Sequence, residues 1–361
     1  MIHVAVDANA LACGWGGIPR YIERLATRLA ARDDVRLTLL TNRSGPSIAI
    51  AGTREVACRR RGGALWRNGF VRDWLARERP DVYWAAETLV PWGVPVPLVA
   101  TVHDLGAVLV PHAKPATLRL AYRTSIPRML RRAVAVIAVS RTTAHDAQRL
   151  WRLDPARVRV IPLGVDERFR VGDRAAASAS VAARWGLRNP FVLAVGALEP
   201  RKGLEVLIDA AARAARDGGG WRLALAGRPG HRGAQLERRA AAAGGRLLGG
   251  VTDSELVELY RAADVVAMPS LYEGFGLPAL EAMACGAPVV VAGGSGGLVE
   301  TSRPAALVVD RRDPAAWLDG IAAALARRDV LSRAGAAHAA RFSWERAAAD
   351  TAAVLHDAAG R

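Results

Sequence analysis

The sequence of 361 residues is poor in cysteine and aromatic residues and has no long apolar run. Its three cysteines, Cys13, Cys58 and Cys285, form no C-x-x-C pair, and this odd, scattered set argues against a disulfide framework and a cysteine-bound metal. The longest apolar runs, such as AVAVIAV before Ser140, have the length of strands, so no transmembrane helix is predicted. The opening MIHVAVDANALACG has no basic leader, so no export signal is predicted and the cytoplasm is the expected location.

Motifs for nucleic-acid binding and for metal binding are also missing. No zinc finger, helix-turn-helix or aromatic RNP-like pattern occurs, so no nucleic-acid partner is predicted. No D-x-D and no histidine–carboxylate cluster at ligand spacing occurs, so no metal and no other cofactor is expected. What the sequence does have is positive charge: 50 Lys and Arg against 34 Asp and Glu give a net charge of +16. Such a charge favours a phosphate-bearing substrate or an anionic membrane surface, although a coding bias toward arginine is an alternative source.

One basic segment has the composition of a surface-binding helix. The run KPATLRLAYRTSIPRMLRR, residues 114–132, mixes apolar side chains with five arginines and one lysine. A basic amphipathic helix of this kind can lie on an anionic membrane. The preferred alternative is a solvated helix whose apolar stripe packs on a sheet. Pro127 interrupts the run and predicts two helices.

Buried strands alternate with helices in both halves of the chain, beginning with the strand at residues 2–7. This alternation predicts an α/β protein with two doubly wound parallel sheets, whose ligands bind at the carboxyl ends of the strands. The expected division is a first domain at 1–167, a linker with a loose helix at 168–186, a second domain at 187–342 and a terminal helix at 343–361.

The densest motif is LYEGFGLPALEAMACGAPVVV, residues 271–291, which predicts a glycine loop, a helix starting near Pro278, a turn and a strand. A helix start can hold an anion such as a diphosphate. Glu273 in the loop and Glu281 in the first helical turn would repel a phosphate, so sugar and ribose hydroxyls are their expected partners. The alternative is ordinary turn chemistry and dipole stabilisation.

Three further groups lie where ligands are expected. Gly16 and Gly17 stand between the first strand and first helix, where they form a ligand loop or a plain tight turn. Arg201 and Lys202 precede a helix, and two cations there suit a phosphate but oppose the helix dipole. His103 follows a strand and is a cleft residue or a satisfied structural histidine.

The pattern E-G-F-G-L-P-x-L-E-A-M-A-x-G-x-P-V-V over residues 273–290 resembles the signature of family 4 retaining glycosyltransferases. G-G-I-P-R-Y at 16–21, T-x-H-D-L at 101–105 and P-R-K-G-L at 200–204 extend the similarity over most of the chain. The resemblance implies a GT-B fold, in which two Rossmann-like domains face each other across a cleft and the terminal helix crosses back to the first domain.

The resemblance also implies roles for individual residues. The implied catalytic residues are His103, Glu273, Arg201 and Lys202, with the cationic pair on the diphosphate and the other two on the donor sugar. Glu281 is expected on the ribose. The implied donor-binding set is Gly16, Gly17, Arg201, Lys202, Gly227, Gly249, Val251, Glu273, Gly274, Phe275, Gly276, Leu277 and Glu281.

The expected function is a metal-independent, retaining transfer of sugar from a nucleotide-diphosphate sugar. D-A-N-x-L at 7–11 and L-E-P-R-K at 198–202 resemble bacterial members that build O-antigen and other surface polysaccharides, many of which use GDP-mannose. A glycan or lipid-linked acceptor and a peripheral position on the inner face of the membrane are the corresponding expectations. The alternatives are a nucleotide-sugar 2-epimerase, which needs acid/base carboxylates in the first domain, a glycogen-synthase-like enzyme and a non-catalytic binding module.

Overall fold

The structure, a computed structural model, describes residues 1–360 except 15, 45–46, 61, 111, 113–114, 219, 231–232 and 311. Lys114, the first residue of the basic segment, lies outside the described residues. The chain divides into two compact units. The N-terminal unit comprises 1–105, 116–164 and 343–361, and the C-terminal unit comprises 106–115 and 165–342.

The N-terminal unit is built on a parallel sheet of seven strands. The strands are β1 Ile2–Asp7, β2 Val35–Thr41, β3 Thr53–Ala57, β4 Val82–Ala85, β5 Leu98–Val102, β6 Ala135–Ala138 and β7 Val158–Val160. Their order is β3-β2-β1-β4-β5-β6-β7. The winding direction therefore reverses between β1 and β4, which is where a doubly wound sheet opens a crevice for ligands.

The helices of the first part of the chain are α1 Gly17–Ala30, α2 Gly63–Leu65, α3 Arg72–Glu78, α4 Gly106–Leu109, α5 Ala116–Arg123, α6 Ser125–Leu130 and α7 Arg141–Trp151. A turn of π-helix, Trp66–Val71, leads into α3. Helix α1 buries Tyr21, Ile22, Leu25 and Leu29, the spacing of one apolar face. Helix α7 begins where Ser140 Oγ accepts from the backbone N–H of Thr143, a side-chain cap.

The C-terminal unit has a parallel sheet of six strands in the order β10-β9-β8-β11-β12-β13. The strands are β8 Phe191–Val195, β9 Arg222–Ala226, β10 Arg246–Gly249, β11 Val265–Met268, β12 Val289–Ala292 and β13 Leu307–Val309. The helices are α8 Arg174–Trp185, α9 Leu204–Arg216, α10 Gly233–Ala242, α11 Asp253–Ala262, α12 Leu277–Ala284, α13 Gly296–Ser302, α14 Pro314–Ala326 and α15 Arg328–Ala339. The winding reverses between β8 and β11.

The last helix, α16 Trp344–Ala359, packs against α1 within the N-terminal unit. Trp344 is buried and its ring lies 6.4 Å from that of Tyr21. A Cβ at Gly164 would stand 2.2 Å from the backbone nitrogen of Trp344, so only glycine permits this approach. None of the described helices combines the length and apolarity needed to cross a bilayer.

The predicted pair of doubly wound parallel sheets is confirmed, and three local predictions need correction or completion. β3 lies in a segment that the sequence left unassigned, because an edge strand reading TREVA has no apolar run. The basic segment forms two helices, as Pro127 predicted, but the break lies at Thr124 and not at the proline. Pro127 is the third residue of α6, where its missing N–H costs little, so the helix can begin before it. Gly17 is the first residue of α1 and not a loop residue. Residues 168–186, predicted as a linker with a loose helix, do contain a helix, α8.

Candidate functional site

Two loops meet at the carboxyl ends of β8 and β11, the point where winding reverses in the C-terminal unit. The first runs through Gly196 to a 3₁₀ turn, Pro200–Lys202, and the second carries Glu273. The N–H of Leu271 donates to the carbonyl of Arg201 at 2.9 Å and joins the loops directly. This edge of the sheet is the place where α/β folds bind ligands.

The two loops bring Arg201, Lys202 and Glu273 into one ion cluster. Arg201 Nη1 donates to Glu273 Oε2 at 2.8 Å, and Lys202 Nζ donates to Glu273 Oε1 at 2.7 Å. Ser270 Oγ donates to the same Oε1 at 2.8 Å. The three charged side chains are only 11 to 12% exposed, so water screens these contacts weakly.

The charge environment keeps the Glu273 carboxylate ionised. Burial by itself would raise its pKa, but the charges of Arg201 and Lys202 and the hydrogen bonds from Lys202 and Ser270 outweigh that effect. The pKa of Glu273 therefore lies well below its usual range. A second carboxylate, Glu199, pairs with Arg201 at 3.0 Å, so two cations and two carboxylates balance in the cluster.

The cluster keeps some hydrogen-bonding capacity for a ligand. A carboxylate offers about four lone-pair sites, and the donors on Glu273 among the described residues are three. One lone pair on Oε2 remains for a hydroxyl. Lys202 uses one of its roughly three N–H bonds on Glu273, which leaves two for an anion within the described contacts.

Glycines occupy the ends of three neighbouring strands beside the cluster. The N–H of Gly196 donates to the carbonyl of Ala226 at 2.9 Å, and the N–H of Gly227 donates to the carbonyl of Gly249 at 2.8 Å. A Cβ at Gly227 would stand 1.9 Å from the Gly196 carbonyl oxygen, so this approach of two backbones requires glycine. Val251 follows at the end of β10 and is half-buried. The carboxyl ends of these strands therefore present backbone without side chains, which a ligand can approach closely.

The loop from Gly274 to Leu277 presents backbone and not side chains. Phe275 is buried and packs edge-on against Phe342, with ring centroids 5.9 Å apart, and Leu277 is buried at the start of α12. Gly276 caps α12 with φ of 100°, a conformation that favours glycine. Any contact that this loop makes with an anion therefore comes from N–H groups and the positive end of α12.

A second glycine contact and a buried acid complete this region. A Cβ at Gly297, the second residue of α13, would stand 2.1 Å from the carbonyl oxygen of Gly274, so α13 supports the Glu273 loop closely. Glu281 was predicted in the first turn of α12, but it is the fifth residue of that helix and lies beyond the first turn. It is only 2% exposed, and the hydroxyl of Tyr260 donates to its Oε2 at 3.4 Å.

The remaining predicted residues, Gly16, Gly17 and His103, lie in the N-terminal unit. Gly16 caps α1 with φ of 110°. His103 follows β5; its Nε2 donates to the carbonyl of Ala86 at 2.8 Å, and its ring stands edge-on to Tyr21. Burial lowers the pKa of His103, so the neutral ring keeps an acceptor on Nδ1.

The sequence did not identify a buried ion cluster where winding reverses in the N-terminal unit. Arg67 donates through Nε to Asp7 at 2.8 Å and through Nη2 to Glu87 at 2.7 Å, and Asp7 is fully buried. Asp7 at the end of β1 was a detectable signal. Arg67, in the π-helical turn, and Glu87, in an irregular loop, belong to no motif. Among the described residues, no three His, Cys, Asp or Glu side chains are grouped to hold a metal ion.

This cluster predicts a pH effect on stability. Burial, the largest cause, raises the pKa of Glu87 to about 7. The negative charge of Asp7 also raises this pKa, and the positive charge of Arg67 lowers it by less than these two effects raise it. Because the folded state holds this proton more tightly than the unfolded state, its stabilising effect is present below about pH 4.5 and is lost as pH rises to about 7. Glu87→Gln should flatten this fall, which amounts to roughly 3 kcal/mol at most.

Urea unfolding at pH 5 and at pH 7.5 measures the effect, with Glu23→Gln as the control because Glu23 is an exposed acid of α1 in the same unit. We expect the control to retain the pH dependence of the parent. An unchanged dependence in Glu87→Gln would contradict the assignment.

Comparison with known proteins gives matches over both halves of the chain. Residues 15–169 match the family model described as Glycosyltransferase Family 4, and residues 181–341 match the model described as Glycosyl transferases group 1. A D-inositol 3-phosphate glycosyltransferase of Geodermatophilus obscurus is 38% identical over 305 residues, covering 78% of this chain and 62% of that relative. The enzyme of the same name from Segniliparus rotundus is 35% identical, covering 83% of this chain and 68% of the relative. The chain thus spans about three fifths of the length of the first of these relatives.

Solved structures share the fold at low sequence identity. Sucrose-phosphate synthase from Thermosynechococcus elongatus superposes with a TM-score of 0.82 at 23% identity, covering 99% of both chains. HepE from Anabaena, in complex with UDP and glucose, gives 0.77 at 20% identity, again covering 99% of both chains. WaaG, a glycosyltransferase involved in lipopolysaccharide biosynthesis, gives 0.75 at 18%, covering 98% of this chain and 99% of the other.

Proposed function

Because the chain belongs to the glycosyltransferases of group 1 and family 4, we propose that it transfers a sugar from a nucleoside-diphosphate sugar to an acceptor hydroxyl. The observation that supports this most directly is the cluster of Arg201, Lys202 and Glu273 at the strand ends of the C-terminal unit. It offers cations for a diphosphate and a carboxylate acceptor for a sugar hydroxyl within one hydrogen-bonded group.

In the proposed reaction, the bond between the anomeric carbon and the β-phosphate oxygen breaks as a bond to the acceptor oxygen forms. The acceptor's proton passes to the departing diphosphate. Lys202 and Arg201 stabilise the negative charge that develops on this leaving group, together with the N-terminal end of α12. Glu273 holds the two cations in place and accepts from a sugar hydroxyl, while His103 and Glu281 keep their expected roles on the sugar and the ribose.

We propose that the anomeric configuration is retained by attack from the same face as the leaving group. Retention through a covalent intermediate would need a carboxylate nucleophile. Glu273 is poorly suited to that role, because three donors already engage its oxygens and its pKa is well below the usual range. The same two cations supply the positive charge that a metal provides in other transferases, so we propose metal-independent transfer.

The sequence resemblance and the similar proteins suggest different donors and acceptors. GDP-mannose and a glycan or lipid-linked acceptor in surface polysaccharide synthesis, with a peripheral membrane position, are expectations from the sequence resemblance. The HepE structure contains UDP and glucose, and the two sequence relatives are named for D-inositol 3-phosphate. UDP-glucose and GDP-mannose are therefore the two donors to compare directly.

A thermal-shift screen of nucleoside diphosphates and their sugars tests the proposal and identifies the base. We expect one base to stabilise the protein, its sugar donor to be turned over in the presence of EDTA, and product NMR to show retained anomeric configuration. Strict dependence on magnesium or manganese would remove the metal-independent part. Tight nucleotide binding with no hydrolysis or transfer would favour a binding module.

The 2-epimerase alternative has one supporting observation, since Asp7 and Glu87 supply two carboxylates in the N-terminal unit. Both are held by the same Arg67, and Asp7 is fully buried, which disfavours them as a freely moving acid/base pair. Incubation of a radiolabelled donor without acceptor separates the two functions. Release of the C2 epimer would favour the epimerase, and its absence alongside transfer would favour the glycosyltransferase.

A further inference from the structure

A basic pocket opens on the N-terminal unit where the ends of α5, α6 and α7 meet. The cavity has a volume of about 480 Å³. Its polar lining includes four guanidinium groups, those of Arg123, Arg128, Arg131 and Arg152. The buried Trp151 forms part of its apolar wall. No acidic side chain lines it within the part of the chain that the structure describes.

The four pocket arginines lack a carboxylate partner among the described contacts, in contrast to several other arginines of the same unit. Arg32, for example, pairs with Asp34 at 2.7 Å. None of the four pocket arginines forms an ion pair with a described carboxylate. Four like charges around one cavity repel each other, and an anion bound among them would relieve that repulsion.

Support of helix ends explains only part of this arrangement. Arg131 Nη1 donates to the carbonyl of Trp151, at the last turn of α7, at 3.0 Å. Cations commonly stabilise helix C-termini in this way. Among the described contacts, Arg123, Arg128 and Arg152 donate to no such carbonyl, so three guanidinium forks remain available to a ligand.

The pocket and His103 lie at opposite ends of the strands of the sheet. Arg157, which directly precedes β7, donates to the carbonyls of Arg131 and Ala133, which precede β6. These contacts place the pocket at the amino ends of the strands. Substrates of doubly wound sheets bind at the carboxyl ends, where β5 leads to His103. The pocket is therefore separate from the substrate-facing edge of this unit.

We propose that this pocket binds a phosphate group, either of a soluble phosphorylated molecule or of a lipid headgroup. The planar guanidinium fork matches phosphate oxygens in pairs, which makes arginine the usual residue for such recognition. Leu120 on α5 is 63% exposed in the helix that bounds the pocket, and it offers apolar contact to the chains of a lipid. The site is independent of the proposed donor site, because it is formed entirely by the N-terminal unit.

The test compares two double variants in a Lys202→Ala background, which removes a cation of the proposed donor site. The pocket pair is Arg123→Gln with Arg128→Gln. The control pair is Arg77→Gln with Arg132→Gln, which removes the same charge from exposed positions of the same unit outside the pocket. Calorimetry with inorganic diphosphate measures soluble binding, and co-sedimentation with phosphatidylcholine vesicles, with and without phosphatidic acid, measures lipid binding.

We expect the pocket pair to weaken binding of at least one probe by about tenfold or more, while the control pair changes it by less than about twofold. Binding of diphosphate in solution would identify a soluble ligand, and binding to phosphatidic acid vesicles alone would identify a lipid headgroup. Equal losses in both pairs would show general charge attraction and overturn the site. So would failure of the Lys202→Ala parent to bind either probe.

Discussion

Lys202→Ala is expected to lower kcat/KM for the sugar donor by about a hundredfold to a thousandfold. Lys202 Nζ lies 2.7 Å from Glu273 Oε1 at the strand ends, in a side chain that is 12% exposed. A preorganised donor that stabilises developing charge in such a site contributes on this scale. The fold should persist, because Glu273 keeps Arg201 and Ser270 as partners. Steady-state turnover of the donor identified in the screen measures the effect.

Two matched variants make that result specific. Arg213→Ala removes one cation from the exposed face of α9, close in sequence to Lys202, and should leave turnover within about twofold. Lys202→Arg keeps the charge with a different geometry and should restore only part of the rate. Near-normal turnover in Lys202→Ala would remove Lys202 from the site.

Glu273→Gln should reduce both activity and stability. The amide cannot neutralise Arg201 and Lys202, and among the described ion pairs Glu199 is then the carboxylate that remains beside them, paired with Arg201. Leaving weakly solvated charges without their partner costs on the order of 3 kcal/mol in the free energy of unfolding. We expect kcat to fall by about a hundredfold or more, because the cations lose their fixed position and the sugar loses an ionised acceptor. Denaturant unfolding and donor turnover measure the two effects.

Asp217→Asn is the corresponding control, since it converts an exposed carboxylate at the end of α9 into an amide in the same unit. It should shift the free energy of unfolding by less than about 0.5 kcal/mol. If Glu273→Gln behaves like this control in both measurements, the central position of Glu273 in the cluster is wrong. A loss of stability with normal turnover would leave Glu273 as a structural residue only.

Much of the fold followed from local patterns. The alternation of buried strands and amphipathic helices predicted two doubly wound parallel sheets, and both are present. The edge strand β3 was missed, because TREVA is half-exposed and its pairing with β2 depends on a neighbour that local sequence does not show. The same holds for the break at Thr124, where Pro127 indicated a kink but the helix boundary fell three residues earlier.

The residues of the candidate site were predictable from the sequence, but the ion pairs between them were not. The loop positions of Arg201, Lys202 and Glu273 could be inferred from strand ends and glycine motifs. That one carboxylate engages both cations could not, because the contact joins loops about seventy residues apart. A motif also does not show whether a residue offers a ligand its side chain or its backbone. The side chain of Phe275, a member of the predicted donor set, packs against Phe342.

The chain's own residue order determined where strands end, which loops are rich in glycine and which cations precede a helix, since these depend on neighbours along the chain. The tertiary structure alone decided that Arg67 joins Asp7 and Glu87, that Glu273 bridges Arg201 and Lys202, and that four arginines line a pocket with no acid among its described lining residues. Partners distant in sequence meet only when a sheet brings its strand ends together. The charge that each side chain finally experiences is therefore a property of the fold.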